Sequence, residues 1–287
     1  MSGGPDSLAL LLLAQAALPP GGFAVATVDH GLRAESACEA AHVAAICAEY
    51  GVSHTTLPIA MEPGSAVQER ARDARYRALG GWCRDSGLSA LVTAHHADDQ
   101  AETMIMRLNR GSGLRGLAAM RPRAQIPGGE LPLLRPLLGW ARASLGAVVE
   151  YAGVMPVDDP SNRDVRFERA RMREQLAGAP WLDRQGLAAS AAHLAEADSA
   201  LEWAAAAVPV VSIDGGLAFD PDLPRALALR VLERVIAQLG AGPARGRDLA
   251  RWHDRLAAGQ VATLAGVRGD GRAKPWRFVT APPHRQS

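Results

Sequence analysis

Ser2-Gly3-Gly4-Pro5-Asp6-Ser7 stands at the head of an apolar run, Leu8 to Ala17. Two adjacent glycines carry no Cβ, so the backbone there can turn sharply and approach a ligand closely. Ser2, Asp6 and Ser7 bring hydroxyl and carboxylate groups to the mouth of that turn. A helix over the apolar run points its unpaired N–H groups and the positive end of its dipole at the same spot, which favours a phosphate. The same residue types also suit a plain Ser/Asp helix cap. On this stretch alone both readings stand.

A second polar stretch is His95-His96-Ala97-Asp98-Asp99-Gln100-Ala101-Glu102-Thr103. Asp98 or a neighbour can cap the helix that follows, and Asp99 and Glu102 then fall on one face of its first turn. Two carboxylates there suit a cationic ligand, an ammonium group or a metal ion. A zinc site lacks the HExxH spacing, and the adjacent histidines do not readily face one ion. Acidic residues also simply favour a helix N-terminus. From Thr103 to Gln125 there is no acid, but there are Arg107, Arg110, Arg115, Arg121 and Arg123, interrupted by Gly111, Gly113 and Gly116. A purely basic glycine loop suits a phosphate backbone. A solvated loop is the plainer alternative.

The elements that must carry these groups alternate. After the first helix and the turn Pro19-Pro20-Gly21-Gly22, Phe23 to Val28 reads as a buried parallel strand. It ends in Asp29-His30-Gly31-Leu32-Arg33, at the strand edge where open α/β sheets bind ligands. A helix over 34–50, a strand over 53–59, an arginine-rich helix over 67–86 and a strand over 90–93 follow. The pattern predicts a parallel sheet with helices on both faces. Residues 126–138 suggest an irregular hairpin, and 141–152 a helix. Asp158 to Asp164 form a capped turn into a helix holding Arg169, Arg171 and Arg173, which alternate by two and cannot all face one site. Beyond it come an alanine-rich helix over 187–207, a hairpin around Asp214-Gly215-Gly216, helices over 224–239 and 248–258, and strands over 261–267 and 276–280. Those last two strands are expected to pair across Gly269-Asp270-Gly271. The expected domains are 1–185, a helical linker at 186–210, and a small, mostly helical α+β domain at 211–287.

Composition sets limits. The chain has 287 residues, 48% of them hydrophobic, enough for a real core. A net charge of +1 leaves nucleic-acid binding to local patches. Lys274 is the single lysine. With no GxxxxGK[ST] run, a Walker-type nucleotide loop is excluded. The 3 cysteines, Cys38, Cys47 and Cys83, show no CxxC spacing and fit small core residues in a reducing compartment. No apolar run approaches a membrane span, and no signal-peptide layout opens the chain. A soluble cytoplasmic protein without membrane partners is expected.

The loop Ser2 to Ser7 resembles the SGGxDS loop of the PP-loop ATP pyrophosphatases. Val28 to Arg33, the Arg75-Tyr76 pair, Thr93 to Thr103, Arg110 to Leu117 and Asp159-Pro160-Ser161-Asn162 narrow the resemblance to the tRNA(Ile)-lysidine synthase family, over about residues 1–175. Thr263 to Val267 resembles that family's first C-terminal domain more loosely. The resemblance implies an adenine nucleotide alpha hydrolase-like fold and an ATP-dependent ligation on tRNA. The wobble cytidine of an isoleucine tRNA with a CAU anticodon is adenylated at its carbon 2 oxygen, releasing pyrophosphate. The ε-amine of free L-lysine then attacks that carbon and AMP leaves, giving lysidine.

The resemblance also distributes roles. Ser2, Gly3, Gly4, Pro5, Asp6 and Ser7, with Asp29 and His30 behind them, would hold ATP, and Asp6 would help place Mg²⁺. Asp99 and Glu102 match residues that bind the lysine, Arg75 an arginine acting in adenylation, and Arg169 lies near a further one. The basic loop would approach the anticodon stem, and a homodimer is allowed for. Three departures accompany it. The family has an apolar strand just before SGGxDS, the centre of its sheet, whereas Met1 is adjacent to Ser2, so that strand is expected to be missing. Ala170 replaces an asparagine often found after the matched arginine. A second C-terminal domain carried by longer members is not expected here. The rival readings are a PP-loop tRNA thiolation enzyme, which usually needs catalytic or cluster-binding cysteines, and a nucleotide- or RNA-binding module without catalysis.

Overall fold

The computed structural model describes residues 1–29, 35–59, 67–157, 168–240, 242 and 244–282. Two compact units divide at Ala195 and Glu196. In the first, α1 (Pro5–Ala17) is followed by β1 (Val25–Asp29), α2 (Glu35–Glu49), β2 (His54–Pro58), α3 (Val67–Asp85), β3 (Leu91–Val92) and α4 (Ala97–Asn109). Then come α5 (Leu114–Leu117), β4 (Arg123–Gln125), β5 (Pro132–Leu134), α6 (Arg142–Tyr151) and α7 (Glu168–Ala177). The helix α8 (Arg184–Ala206) contains the division between the units and most of the expected linker.

β1 and β2 pair in parallel, from Val25 opposite His54 to Asp29 opposite Pro58, with α2 as the crossover. β3 pairs in parallel with β5, Leu91 opposite Leu133, and β4 runs antiparallel to β5. The hairpin expected over 126–138 is therefore real but begins earlier, at Arg123. Among the described residues no strand joins β1 to β3, so the sheet comes in two pieces. The Met1 amino group donates to the Ala26 carbonyl of β1.

Two apolar clusters hold this unit. Leu8 and Leu11 of α1 pack with Val43, Ile46 and Cys47 of α2 and with Leu145 and Val149 of α6. Spacings of three and four residues put each set on one helix face. Tyr76 and Cys83 of α3 pack with Leu91, Ile126 and Leu133. The first cluster seats the N-terminus of α1, and the second seats α3 against the short strands.

The second unit has β6 (Val211–Ile213), β7 (Gly216–Phe219), α9 (Arg225–Leu239), α10 (Gly246–Ala257), β8 (Val261–Leu264), β9 (Val267–Asp270) and β10 (Trp276–Thr280). The strands form one sheet in the order β6-β7-β10-β9-β8, antiparallel throughout. Phe219 and Phe278 stack at 5.4 Å beneath the helices. One expectation is corrected here. Gly269 and Asp270 lie inside β9, and the turn that reverses the chain is Ala265-Gly266, with φ of 47° and 78°. Positive φ at both positions is what a tight two-residue hairpin needs. Gly269 serves packing instead: a Cβ there would meet Trp252 and Leu256 of α10 at 3.0 and 3.1 Å.

Candidate active site

The opening loop is built around Gly3 and Gly4. Gly3 has φ +75°, its carbonyl accepts from Val157 N at 2.9 Å, and an added Cβ would meet Val157 Cγ2 at 2.7 Å. The helix starts at Pro5, where a missing N–H costs nothing. Gly4 is the N-cap and no side chain caps it. The capping reading of Ser2, Asp6 and Ser7 is therefore corrected. Ser7 Oγ donates to the Gly4 carbonyl at 2.9 Å, and Ser2 Oγ lies 3.3 Å from Ser7 Oγ and accepts from Gly4 N at 3.4 Å. The hydroxyls set the loop's shape, Gly4 N donating to Ser2 Oγ and Ser7 N to the Gly4 carbonyl at 3.1 Å, at the helix N-terminus where anions are favoured.

His96 connects this loop to the second site. It is the residue before α4, and its N–H donates to Asp99 Oδ2 at 3.0 Å. Its ring is 2% exposed. Nε2 lies 3.4 Å from Asp6 Oδ2 and 3.5 Å from Asp99 Oδ2, and Nδ1 lies 3.6 Å from Asp98 Oδ2. Burial opposes the charged ring, but the three carboxylates outweigh it and raise its pKa to about 9. His96, the Arg142 N–H and the Arg184 guanidinium together hold the Asp98 carboxyl well below the usual range. At Asp6 burial works the other way, yet His96, Arg142 and Arg173 prevail and lower its pKa. Asp6 Oδ1 is buried without a hydrogen-bond partner.

Asp99 and Glu102 share a face of α4, as their spacing implies, and both are buried. The cation they meet belongs to this chain. Arg169 donates from Nε to Glu102 Oε2 at 2.8 Å and from Nη2 to Asp99 Oδ1 at 2.7 Å. Arg173, one turn along α7, donates from Nε to Glu102 Oε1 at 2.8 Å. The acidic pair, whose spacing suits a cationic ligand, thus meets two guanidiniums of its own chain. A buried carboxylate without a partner is expensive, and two guanidiniums arriving from about seventy residues later satisfy it. Arg169 and Arg173 are four apart, so both face the acids.

Arg75 sits in α3, its Cζ 5.5 Å from the centroid of the Tyr76 ring. Burial lowers its pKa, with Arg72 adding to the effect. His95 turns away from His96: its Nδ1 lies 2.9 Å from Thr93 Oγ1. Burial pushes the His95 pKa down to about 4, helped by Arg135, Arg169 and Arg72 and opposed by Asp99. The two histidines thus face different surroundings. Among the described residues no group of three or more His, Cys, Asp and Glu is set to hold a metal ion. Asp29 ends β1 and accepts from Ser36 Oγ at 2.6 Å. His30, with Gly31-Leu32-Arg33 and Asp159-Pro160-Ser161-Asn162, lies outside the described residues.

The basic loop is only partly what its composition suggests. Arg107 donates to the Gly116 and Ala119 carbonyls at 2.8 and 3.1 Å, so it holds the loop's own backbone. Arg110 pairs with Glu168 of α7. Gln100 clamps the loop to α4 through Met120, donating at 2.9 Å and accepting at 2.8 Å. Sequence reasoning missed His96, Arg173 and Arg184. The spacing of Arg169 and Arg173 on one helix face was the available sign for the second; nothing local marks the third.

Residues 1–179 match the family model described as the PP-loop domain. A tRNA(Ile)-lysidine synthase from Novosphingobium aromaticivorans is 60% identical over 99% of this chain and 89% of its own length. The enzyme of that name from Zymomonas mobilis is 43% identical over 100% of this chain and 89% of its own. The chain belongs to the tRNA(Ile)-lysidine synthase family of PP-loop proteins. Its fold is shared by the solved U34-tRNA thiolase of Methanococcus maripaludis, a protein with a [4Fe-4S] cluster, at a TM-score of 0.54 and 16% identity over 67% of each chain. The PP-loop family uses ATP, and its loop here is Ser2 to Ser7.

Proposed function

We propose that this chain is an ATP-dependent ligase that joins free L-lysine to carbon 2 of the wobble cytidine in a CAU-anticodon isoleucine tRNA, through an adenylated tRNA. The observation that carries the reading is one connected array of charge. Asp6 of the loop, His96, and the pair Asp99–Glu102 follow one another at 3.4, 3.5 Å and one helical turn. A phosphate site and an amine site are thereby adjacent, as a reaction between an activated nucleotide and an amine requires.

In this reading the uncapped first turn of α1 and the glycine backbone take the pyrophosphate leaving group, where negative charge develops. Arg75 acts on the phosphate at adenylation. Asp99 and Glu102 receive the lysine ammonium through the acceptor positions left by Arg169 and Arg173, which align the two carboxylates. Neutral His95 lies beside that pair. Asp6 Oδ1, which accepts no hydrogen bond, would serve as a carboxylate ligand for Mg²⁺ beside the phosphates. A bound Mg²⁺ would supply charge neutralisation at the phosphates. The reactants meet in the cytoplasm, which suits three unpaired cysteines.

The thiolation reading is less well supported. Cys38 is exposed, and Cys47 and Cys83 are buried in separate apolar clusters. The test is pyrophosphate release from ATP with labelled lysine and a CAU-anticodon transcript. Release that needs both lysine and tRNA, with label in the RNA, is expected. ATP binding without such release would overturn the ligase in favour of a binding module.

A further inference from the structure

Among the described residues, a group of positive charges around one tyrosine has no carboxylate of its own. Tyr76, 1% exposed, is at its centre. Arg72 and Arg75 lie against its ring with Cζ at 5.1 and 5.5 Å from the centroid. Arg135 directly follows β5, whose Leu133 packs in one apolar cluster with Tyr76, and it is 7% exposed. Among the described residues no carboxylate pairs with Arg72, Arg75 or Arg135. Arg135 Nη1 donates to the Arg121 carbonyl at 2.8 Å, but its Nε is buried with no partner. The Tyr76 hydroxyl is likewise buried with no partner.

Two buried donors without a hydrogen bond, beside the guanidiniums of Arg75 and Arg135 that meet no carboxylate among the described residues, are costly for a folded protein. Burial lowers the pKa of both Arg75 and Arg135, with Tyr76 opposing it and Arg72 adding to it. The ring of His95 nearby is neutral for the same reason. A single ligand class relieves all of this at once: a dianionic or monoanionic oxyanion with several acceptor oxygens. Arginine forks and a phenol match phosphate oxygens in geometry and charge.

We propose that Arg135 and Tyr76, together with Arg75, form a binding site for a phosphate group of the substrates, with Arg72 at its exposed rim. The proposal rests on the reading of the chain as an ATP-dependent tRNA-modifying ligase. The phosphate has two sources, the triphosphate of ATP and a phosphodiester of the tRNA. The ligand chemistry is the same, and the experiment separates them.

Arg135→Gln and Tyr76→Phe are made in the full chain, and binding is measured in two arms, Mg-ATP alone and a CAU-anticodon transcript alone. Tyr76→Phe deletes only a hydroxyl with no partner in the free protein. It is expected to leave Tm unchanged or raise it, while weakening binding roughly threefold to tenfold in one arm. Arg135→Gln is expected to weaken the same arm by roughly tenfold or more. Loss in the ATP arm assigns the site to the nucleotide. Loss in the transcript arm, with a shallower salt dependence, assigns it to the RNA. Unchanged binding in both arms, or a lower Tm in Tyr76→Phe with intact binding, overturns the site. If Arg135→Gln does not fold, judged by circular dichroism, Tyr76→Phe decides alone. Lysine-dependent pyrophosphate release by the unaltered chain is measured in parallel. Its absence overturns the ligase reading and leaves the phosphate-site result standing on its own.

Discussion

His96→Gln removes the one group that three carboxylates share. In the folded protein Asp6, Asp98 and Asp99 approach the ring within 3.6 Å, and the imidazolium is favoured up to about pH 9 rather than 6.5. That difference is worth about 3 kcal/mol at about 1.4 kcal/mol for each pH unit. The ring is 2% exposed, so solvent screening takes little away. Because the folded pKa is raised, the stabilisation is complete below pH 6.5, declines between 6.5 and about 9, and is absent above. For a unit of this size about 3 kcal/mol corresponds to roughly 6–12 °C in Tm. Thermal melts followed by far-ultraviolet circular dichroism, from pH 6 to pH 10, check this. The gap between the unaltered chain and the variant should be widest near pH 6 and close by pH 10. Chemical-shift titration of the His96 ring gives an independent reading. A gap that stays constant across the range, or a ring that titrates near its ordinary value, would refute the argument that the carboxylates outweigh burial.

Asp99→Asn should raise the lysine KM by roughly tenfold to a hundredfold, the effect of removing a charged acceptor, while ATP affinity changes less than about threefold. An unchanged lysine KM in steady-state pyrophosphate release would end the assignment of Asp99 to the amine. Gly3→Ala should lower stability by about 1–2 kcal/mol through its left-handed backbone, with more from the 2.7 Å approach to Val157 Cγ2. Adding Val157→Ala should recover the steric part and not the backbone part, which melts of the single and double variants will separate.

Much of the site was legible in local pattern. The glycine pair, the strand-to-helix alternation and the i, i+3 placement of Asp99 and Glu102 all follow from short-range geometry, because a turn, a helix face and a strand edge each involve a few neighbouring residues. The motif order along residues 1–175 also carries the family resemblance. What pattern could not decide was which groups would satisfy one another. A serine before a helix reads as a cap, yet the fold gives Ser2 and Ser7 to the loop backbone. An acidic pair reads as an open cation site, yet α7 delivers Arg169 and Arg173 to it. A basic loop reads as a phosphate surface, yet Arg107 turns inward to its own carbonyls. His96 and Arg135 look like ordinary residues until the tertiary structure surrounds one with carboxylates and buries the other's Nε without a hydrogen-bond partner. Residue types and spacings determine which chemistry a segment can offer. Burial decides the rest, because a charge removed from water must take its partner from whatever element the fold brings against it.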